Sequence, residues 1–147
     1  RPIACLAWSS SVFRILDRDV FIGWDQESRS KNIGLVANNS RFLILPWVRI
    51  KNLASHLLAV SAKTLSRDWL SFYGRPLYLL ETFVDRSRFA GTCYKAANWM
   101  CVGQTQGYAK KDNRFTYHGQ VKDVYVYPLV ADFQARLCSD QSTGGVS

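Results

Sequence analysis

Few residues in this sequence have both the type and the spacing to do chemistry, and the densest group lies where an apolar run gives way to a helical pattern. Phe42-Leu43-Ile44-Leu45, followed by Pro46, Trp47 and Val48, reads as a buried strand, with Pro46 at a bulge or splay. From Asn52 onward the apolar residues recur at helical spacing, with Leu53, Leu57 and Val60 on one stripe and Leu58 and Leu65 widening it. The turn between them is Arg49-Ile50-Lys51-Asn52-Leu53-Ala54. A helix starting there turns unpaired N–H groups and the positive end of its dipole outward, and Arg49 and Lys51 add charge at the same place, a combination suited to a pyrophosphate. The same residues also make an ordinary strand–turn–helix, with Asn52 as N-cap and two solvated cations.

A carboxylate interrupts the second apolar run, Leu77 to Val84, at Glu81. Burying it is costly unless it is paired, so Glu81 is either matched to an Arg or Lys or stands at a strand end facing a cleft, as a base. Lys110, Lys111 and Arg114 lie close to Tyr108, Phe115 and Tyr117, with Lys122 beyond. Such a mixture can hold phosphates and stack bases, or can equally be a solvated loop. The cysteines, Cys5, Cys93, Cys101 and Cys138, form no C-x-x-C pair and fit no metal spacing, with His56 and His118 the only histidines. Cys5, Cys93 and Cys101 lie among apolar residues and read as buried, reduced thiols of a cytoplasmic protein, with no metal.

The elements that must position these groups follow from pattern. Ile3 to Trp8 is an apolar strand; Val12 to Leu16 fits a strand or a helical turn; Asp17-Arg18-Asp19 is a polar turn before the apolar Val20 to Trp24. Asp25 caps a helix running to about Ile33, with Glu27 at the positive end of its dipole. The helix beginning at Asn52 is expected to end near Ser66, and Arg67 to Pro76 to form a connection with packed aromatics. A helix over Arg88 to Ala97, capped by Asp85 or Ser87, a strand over Trp99 to Val102, a loop or irregular hairpin over Tyr108 to Gln120, a strand over Val121 to Leu129 and a short helix over Asp132 to Leu137 complete the order. This order predicts a mixed α/β layer fold with helices covering a central sheet. Residues 1–138 read as one domain and 139–147 as a disordered Gly/Ser/Thr tail.

With 147 residues, 48% hydrophobic and 20% charged, the chain has the composition of a folded domain and no stretch long and apolar enough to span a bilayer. A net charge of +8 favours polyanionic partners without naming nucleic acid as the target. The first residue is Arg1, and the chain reads as a part of something longer.

Two resemblances sharpen this. Arg49-x-x-Asn52-x-Ala54 between a strand and a helix resembles the R/Q-x-x-G-x-G/A pyrophosphate loop of the GNAT-type acyl-CoA N-acyltransferases. Cys93-Tyr94-Lys95-Ala96-Ala97-Asn98-Trp99 followed by Val102-Gly103 resembles the same family's L-Y-x-K-x-G-F…V-G segment, in the right order and with a strand between the two. The phrases NNSRFLILPWVRIKNLASHLL, LLETFVD, GTCYKAANW and KDVYVYPL further resemble the DruA-type domain of Druantia anti-phage defence systems, from Ile3 to Leu137. The GT-x-Y-x-A-x-NW phrase is also similar to Mom-type phage proteins that modify adenine in DNA.

The resemblance implies a GNAT-like α/β fold (α+β) with a central mixed, mostly antiparallel sheet, beginning at the fold's second strand, so that the N-terminal part is truncated or remodelled. It implies an acyl-CoA such as acetyl-CoA held by the backbone of Lys51, Asn52, Leu53 and Ala54, with Arg49 adding charge. Tyr94 would stand near the thioester sulfur and protonate the leaving thiolate, and Glu81 or Asp85 would take a proton from an amine; Tyr94 as a core tyrosine is the alternative. Arg41 would touch acyl group or nucleic acid, and DNA and other defence subunits are the implied partners; for a structural subunit, Trp24, Trp47 and Trp69 are either an exposed interface or, as tryptophans more often are, core. Asn52, Ala54 and Asn98 replace family glycines; Asn tolerates positive φ, so the loop is tighter rather than excluded. The readings are an acyltransferase acting on a nucleobase amine, a nucleic-acid-binding module that has lost chemistry, and a structural subunit of a defence assembly.

Overall fold

Two strands that run together and then part decide the architecture. In the computed structural model, which describes residues 4–44, 48, 50, 52–85, 91–105, 108–111, 114–117 and 121–139 (backbone only at 108–111 and 114–117), the chain begins with β1 (Ala4–Ser10), α1 (Leu16–Ile22) and α2 (Gln26–Asn32). A short 3-10 turn leads into β2 (Val36–Ile44), followed by α3 (Leu53–Tyr73), β3 (Leu79–Val84), α4 (Thr92–Ala96) and β4 (Met100–Gln104). The hairpin strands β5 (Tyr108–Lys111) and β6 (Arg114–Tyr117) pair only with each other among the described residues, and β7 (Asp123–Pro128) and α5 (Phe133–Cys138) close the order.

The main sheet has the order β1-β2-β3-β7-β4. Only β2 and β3 are parallel; the other three pairings are antiparallel. The mixed, mostly antiparallel sheet is therefore as expected. The parallel pairing covers Val36–Asn39 against Leu79–Thr82 and stops there. Beyond it β2 stays with β1 and β3 stays with β7, so the two strands splay.

Side-chain alternation along the strands sorts the core into two layers. Val36, Leu79 and Val126 face Ile22 and Trp24, together with Phe133 and Leu137 of α5. Ala37, Leu80 and Tyr125 face Leu58 and Ala62 of α3, together with Tyr94 and Trp99. A strand residue one position away thus belongs to the opposite layer.

Several boundaries differ from the sequence reading. Asp17-Arg18-Asp19 is not a turn but the start of α1, where Arg18 and Asp19 are buried against partners distant in sequence. The helix from Leu53 does not end near Ser66; it runs through Trp69 to Tyr73 and stops at Gly74, whose φ of 70° makes the left-handed C-cap. Its buried stripe is Leu58 and Ala62 with half-buried Leu65 and Trp69, so Val60 is exposed. The strand expected from Phe42 starts at Val36, six residues earlier, and α4 is a five-residue helix whose N-cap is Gly91, rather than Asp85 or Ser87. Asp25 caps α2 as expected, accepting from the Ser28 N–H at 2.7 Å. Cys5 and Cys101 are free and exposed, not buried, because each sits on an edge strand of the sheet; Cys93 is half-buried, and Cys138 at the end of α5 is exposed. Trp24 is core, not interface, and Trp69 packs beside the α3 layer. Trp47, the stretch 86–90 and the tail from 140 onward lie outside the described residues. Among the described residues no helix is long and apolar enough to cross a membrane.

Candidate functional site

The parting of β2 and β3 opens a cleft of about 440 Å³, lined from β2 by Asn39, Ser40, Arg41 and Phe42, from β3 by Thr82 and Val84, and by the start of α4. Its position follows from a bulge. Trp8 of β1 stands opposite Asn39 and Ala7 opposite Arg41, so Ser40 is an extra residue on β2. A bulge bends its strand and re-aims side chains, and this one sits at the point of divergence.

Tyr94 forms the inner wall. It is 8% exposed, is stacked near Tyr125 at 6.0 Å, meets Trp99 edge-on at 5.2 Å and donates its hydroxyl to Asn39 Oδ1 at 2.7 Å. Burial pushes its pKa up to about 12, against a smaller opposing pull from Thr82. The phenol is therefore neutral at physiological pH. Thr82 Oγ1 in turn donates to the Asn39 carbonyl at 2.8 Å, tying β3 to β2 at their last paired position. Gly91, at φ 71°, is required beneath: a Cβ there would meet the Tyr125 hydroxyl at 2.7 Å. Burial also raises the pKa of Cys93, which keeps its thiol protonated.

A second cleft of about 380 Å³ adjoins the first and shares Thr92 and Cys93 with it. Asn52, Leu53, Ala54 and Ser55 line it at the start of α3, opposite Ile44 and Ala96. Asn52 is not an ordinary N-cap. It takes the left-handed conformation, φ 61° and ψ 15°, and makes no side-chain capping bond. A usual cap is extended and satisfies an N–H of the first turn with its side chain. Here the turn lines the cleft without a side-chain cap, its Leu53 N–H donating to the Ile50 carbonyl at 3.4 Å. Asn98, the other substituted glycine, is also left-handed at φ 71°. Both asparagines preserve the backbone that glycine would have given.

The candidate residues are thus only partly assembled. Tyr94 and Arg41 line the first cleft, and Asn52, Leu53 and Ala54 the second. Arg49 and Lys51 lie outside the described residues, as do the side chains of Lys110, Lys111 and Arg114. Lys122 is half-buried next to β7, its N–H bonded to Thr105 Oγ1 at 3.0 Å. Asp85, half-buried, follows Val84 directly but does not line the cleft. Glu81 is not brought to Tyr94 at all: alternation puts it on the opposite layer from Thr82, fully buried, with both carboxylate oxygens on Arg18 Nη1 at 3.0 and 2.9 Å. Of the two sequence alternatives for Glu81, the paired one describes this geometry. Asp19 extends the pair, taking Arg18, Arg29 and the Trp24 indole, and burial holds the Glu81 pKa above its ordinary value despite Arg18.

Asn39, Thr82 and Cys93 were not singled out from sequence. Two consecutive asparagines in an apolar strand were the available signal, since a buried amide needs partners.

Against known families, the profile described as Druantia protein DruA matches residues 1–115, most of the chain. The chain belongs to the DruA family. Two solved structures share the fold of this DruA-family chain. One is AAC(6')-Ib in complex with ribostamycin and coenzyme A, at 17% identity and a TM-score of 0.52, covering 95% of this chain and 64% of that one. The other is an agmatine N-acetyltransferase in an apo form, at 12% identity and a TM-score of 0.50, covering 88% of this chain and 72% of that one. This DruA-family chain therefore spans just under two thirds of the first structure's length, and at such identities the likeness is one of fold, GNAT-like as the motifs imply. A comparison with curated proteins by sequence finds no match.

Proposed function

We propose that this DruA-family domain binds an acyl-CoA along the two joined clefts and serves an anti-phage defence system by acting on DNA. The observation that carries the reading is that the two clefts share a wall at Thr92 and Cys93: one runs beside the start of a 21-residue helix whose N-cap makes no side-chain capping bond, and the other is lined by Tyr94 between splayed strands. The first turn at Leu53 and Ala54 would face the pyrophosphate, with the helix dipole favouring negative charge. The walls formed by Phe42, Val84, Thr92 and Cys93 would enclose the acyl end and exclude water. A solved structure of the same fold holds coenzyme A, which supports the choice of ligand.

An acyl-CoA supplies an activated acyl group: a C–N bond to an acceptor amine forms as the C–S bond breaks, and the proton lost by the amine is matched by the one gained by the thiol. The net charge of +8 favours a polyanionic carrier of that amine, which makes a nucleobase of DNA the acceptor we propose. Arg41, exposed on the cleft rim, is placed to meet a phosphate. A binding role without transfer is the second reading. It is favoured by Glu81, whose carboxylate is committed to Arg18 in the other layer. Calorimetric titration with acetyl-CoA and free CoA at low and at physiological salt tests the first claim. Binding that persists at physiological salt is expected; none would remove the acyl-CoA reading and leave the binding role.

A further inference from the structure

The side chain that decides how Tyr94 meets a ligand is Asn39. It is 4% exposed and stands at the last position where β2 and β3 pair, immediately before the bulge. Its Nδ2 donates to two backbone carbonyls, those of Ala7 at 3.0 Å and Arg41 at 3.1 Å. An amide can be placed either way round in principle, and its partners settle which way. Turned over, Asn39 would press Oδ1 against two carbonyl oxygens, an oxygen–oxygen repulsion at both contacts, although the Ala7 carbonyl would keep the Ser40 hydroxyl as a donor. Its oxygen must therefore face Tyr94, and an amide oxygen only accepts. A phenol has one proton, and at 2.7 Å that proton is spent on Asn39.

We propose that Asn39 is the positioning residue of the cleft, holding the Tyr94 hydroxyl with its proton turned inward so that a ligand meets an oxygen lone pair. Such an oxygen suits a donor, the S–H of a free thiol. To protonate a departing thiolate, Tyr94 would have to give up the bond to Asn39. Thr82 reinforces the arrangement by fixing the Asn39 backbone from the far strand. The cleft's other titratable side chains are Cys93, kept protonated by burial, and Arg41 on the rim. The proton's direction stands on geometry alone; the identity of the ligand rests on the function proposed above.

The test separates the two. Difluorotyrosine placed at position 94 ionises in the range where the protein stays folded, and its absorbance reports the pKa directly. A bond in which the phenol donates stabilises the neutral form, so Asn39→Leu should lower that pKa by about one unit. Were Tyr94 accepting from the amide instead, the same substitution would raise it, and a rise or no change overturns the proposal. A readout that needs no change at Asn39 covers a Leu variant that does not fold. The buried hydroxyl proton should give a slowly exchanging downfield resonance in the wild-type protein that Tyr94→Phe lacks, and its absence from wild type likewise overturns the proposal. With ligands, wild type should favour free CoA over acetyl-CoA by about threefold, and Asn39→Leu should lose that preference; a preference that survives counts against the proposal. Failure to bind either compound would overturn the acyl-CoA reading while the titration still decides the proton's direction.

Discussion

The two layers beside the central sheet treat buried polar side chains in opposite ways, although adjacent residues of the same strands supply them. On the α1 side, Glu81 pairs with Arg18, and Asp19 joins Arg18 to Arg29, a buried charged cluster that ties α1 and α2 to β3. On the α3 side, Tyr94 donates to the Asn39 side chain and Thr82 to the Asn39 carbonyl, neutral hydrogen bonds at the wall of an open cleft. Charge is used where the structure is sealed, and neutral, fully specified donors and acceptors are used where a ligand would enter. The difference follows from burial: charges in a closed layer must be paired to persist, whereas neutral groups can border a cavity that fills and empties.

The largest effect should come from breaking the charged side. Arg18→Met leaves Glu81 buried without its partner and should cost about 3–5 kcal/mol in urea unfolding, with much of it recovered in Arg18→Met/Glu81→Leu. If the double variant is no better than the single, the cluster is not an isolated pair, and Asp19 carries its weight. Next, Asn52→Glu should abolish CoA binding by calorimetry, because it puts a carboxylate where a phosphate belongs, while Asn52→Gly keeps the left-handed cap and the affinity. Equal affinity in both variants would detach the second cleft from the first. Tyr94→Phe leaves Asn39 Oδ1 without a donor and should cost about 1–3 kcal/mol by the same urea assay, less than the charged side loses. The smallest effect is one of slope. Because the folded-state pKa of Glu81 is raised, its contribution is fully present below the ordinary carboxylate range and is lost as pH rises through the elevated value. Glu81→Gln should therefore flatten the fall in stability as pH rises from the ordinary carboxylate range towards the elevated value, and an unchanged slope would mean that another group titrates there.

What the sequence made legible were features that depend on near neighbours. Asp25 and its cap, the strand over Leu77 to Val84, and the tolerance of Asn52 and Asn98 for positive φ are all local, and the order of loop, strand and tyrosine segment led to the right fold. What stayed hidden depends on partners far along the chain. Arg18 reads as one of three charged turn residues until Glu81, 63 positions later, makes it a buried helix residue. Arg67 to Tyr73 is charged and aromatic enough to resemble a connection, yet Trp69 packs beside the α3 layer and tilts against Tyr73 at 4.6 Å, so the helix continues. Asn39 carries no signature of its own. Its role exists only because β2 leaves β3 at that residue and Tyr94 arrives from a separate helix.

The strand order has a consequence for how the molecule comes into being. β7 is the last of the described strands, yet it lies between β3 and β4, both of which precede it. The middle of the sheet therefore cannot zip up progressively during synthesis; a gap one strand wide waits for residues 123–128. Tyr125, which backs Tyr94 and sets the need for Gly91, arrives on that same strand. The wall of the cleft is thus among the final parts to assemble, and a chain cut off before β7 has no means of making it. Contacts this far apart in sequence also close slowly, since the loop entropy is spent before any pairing is gained.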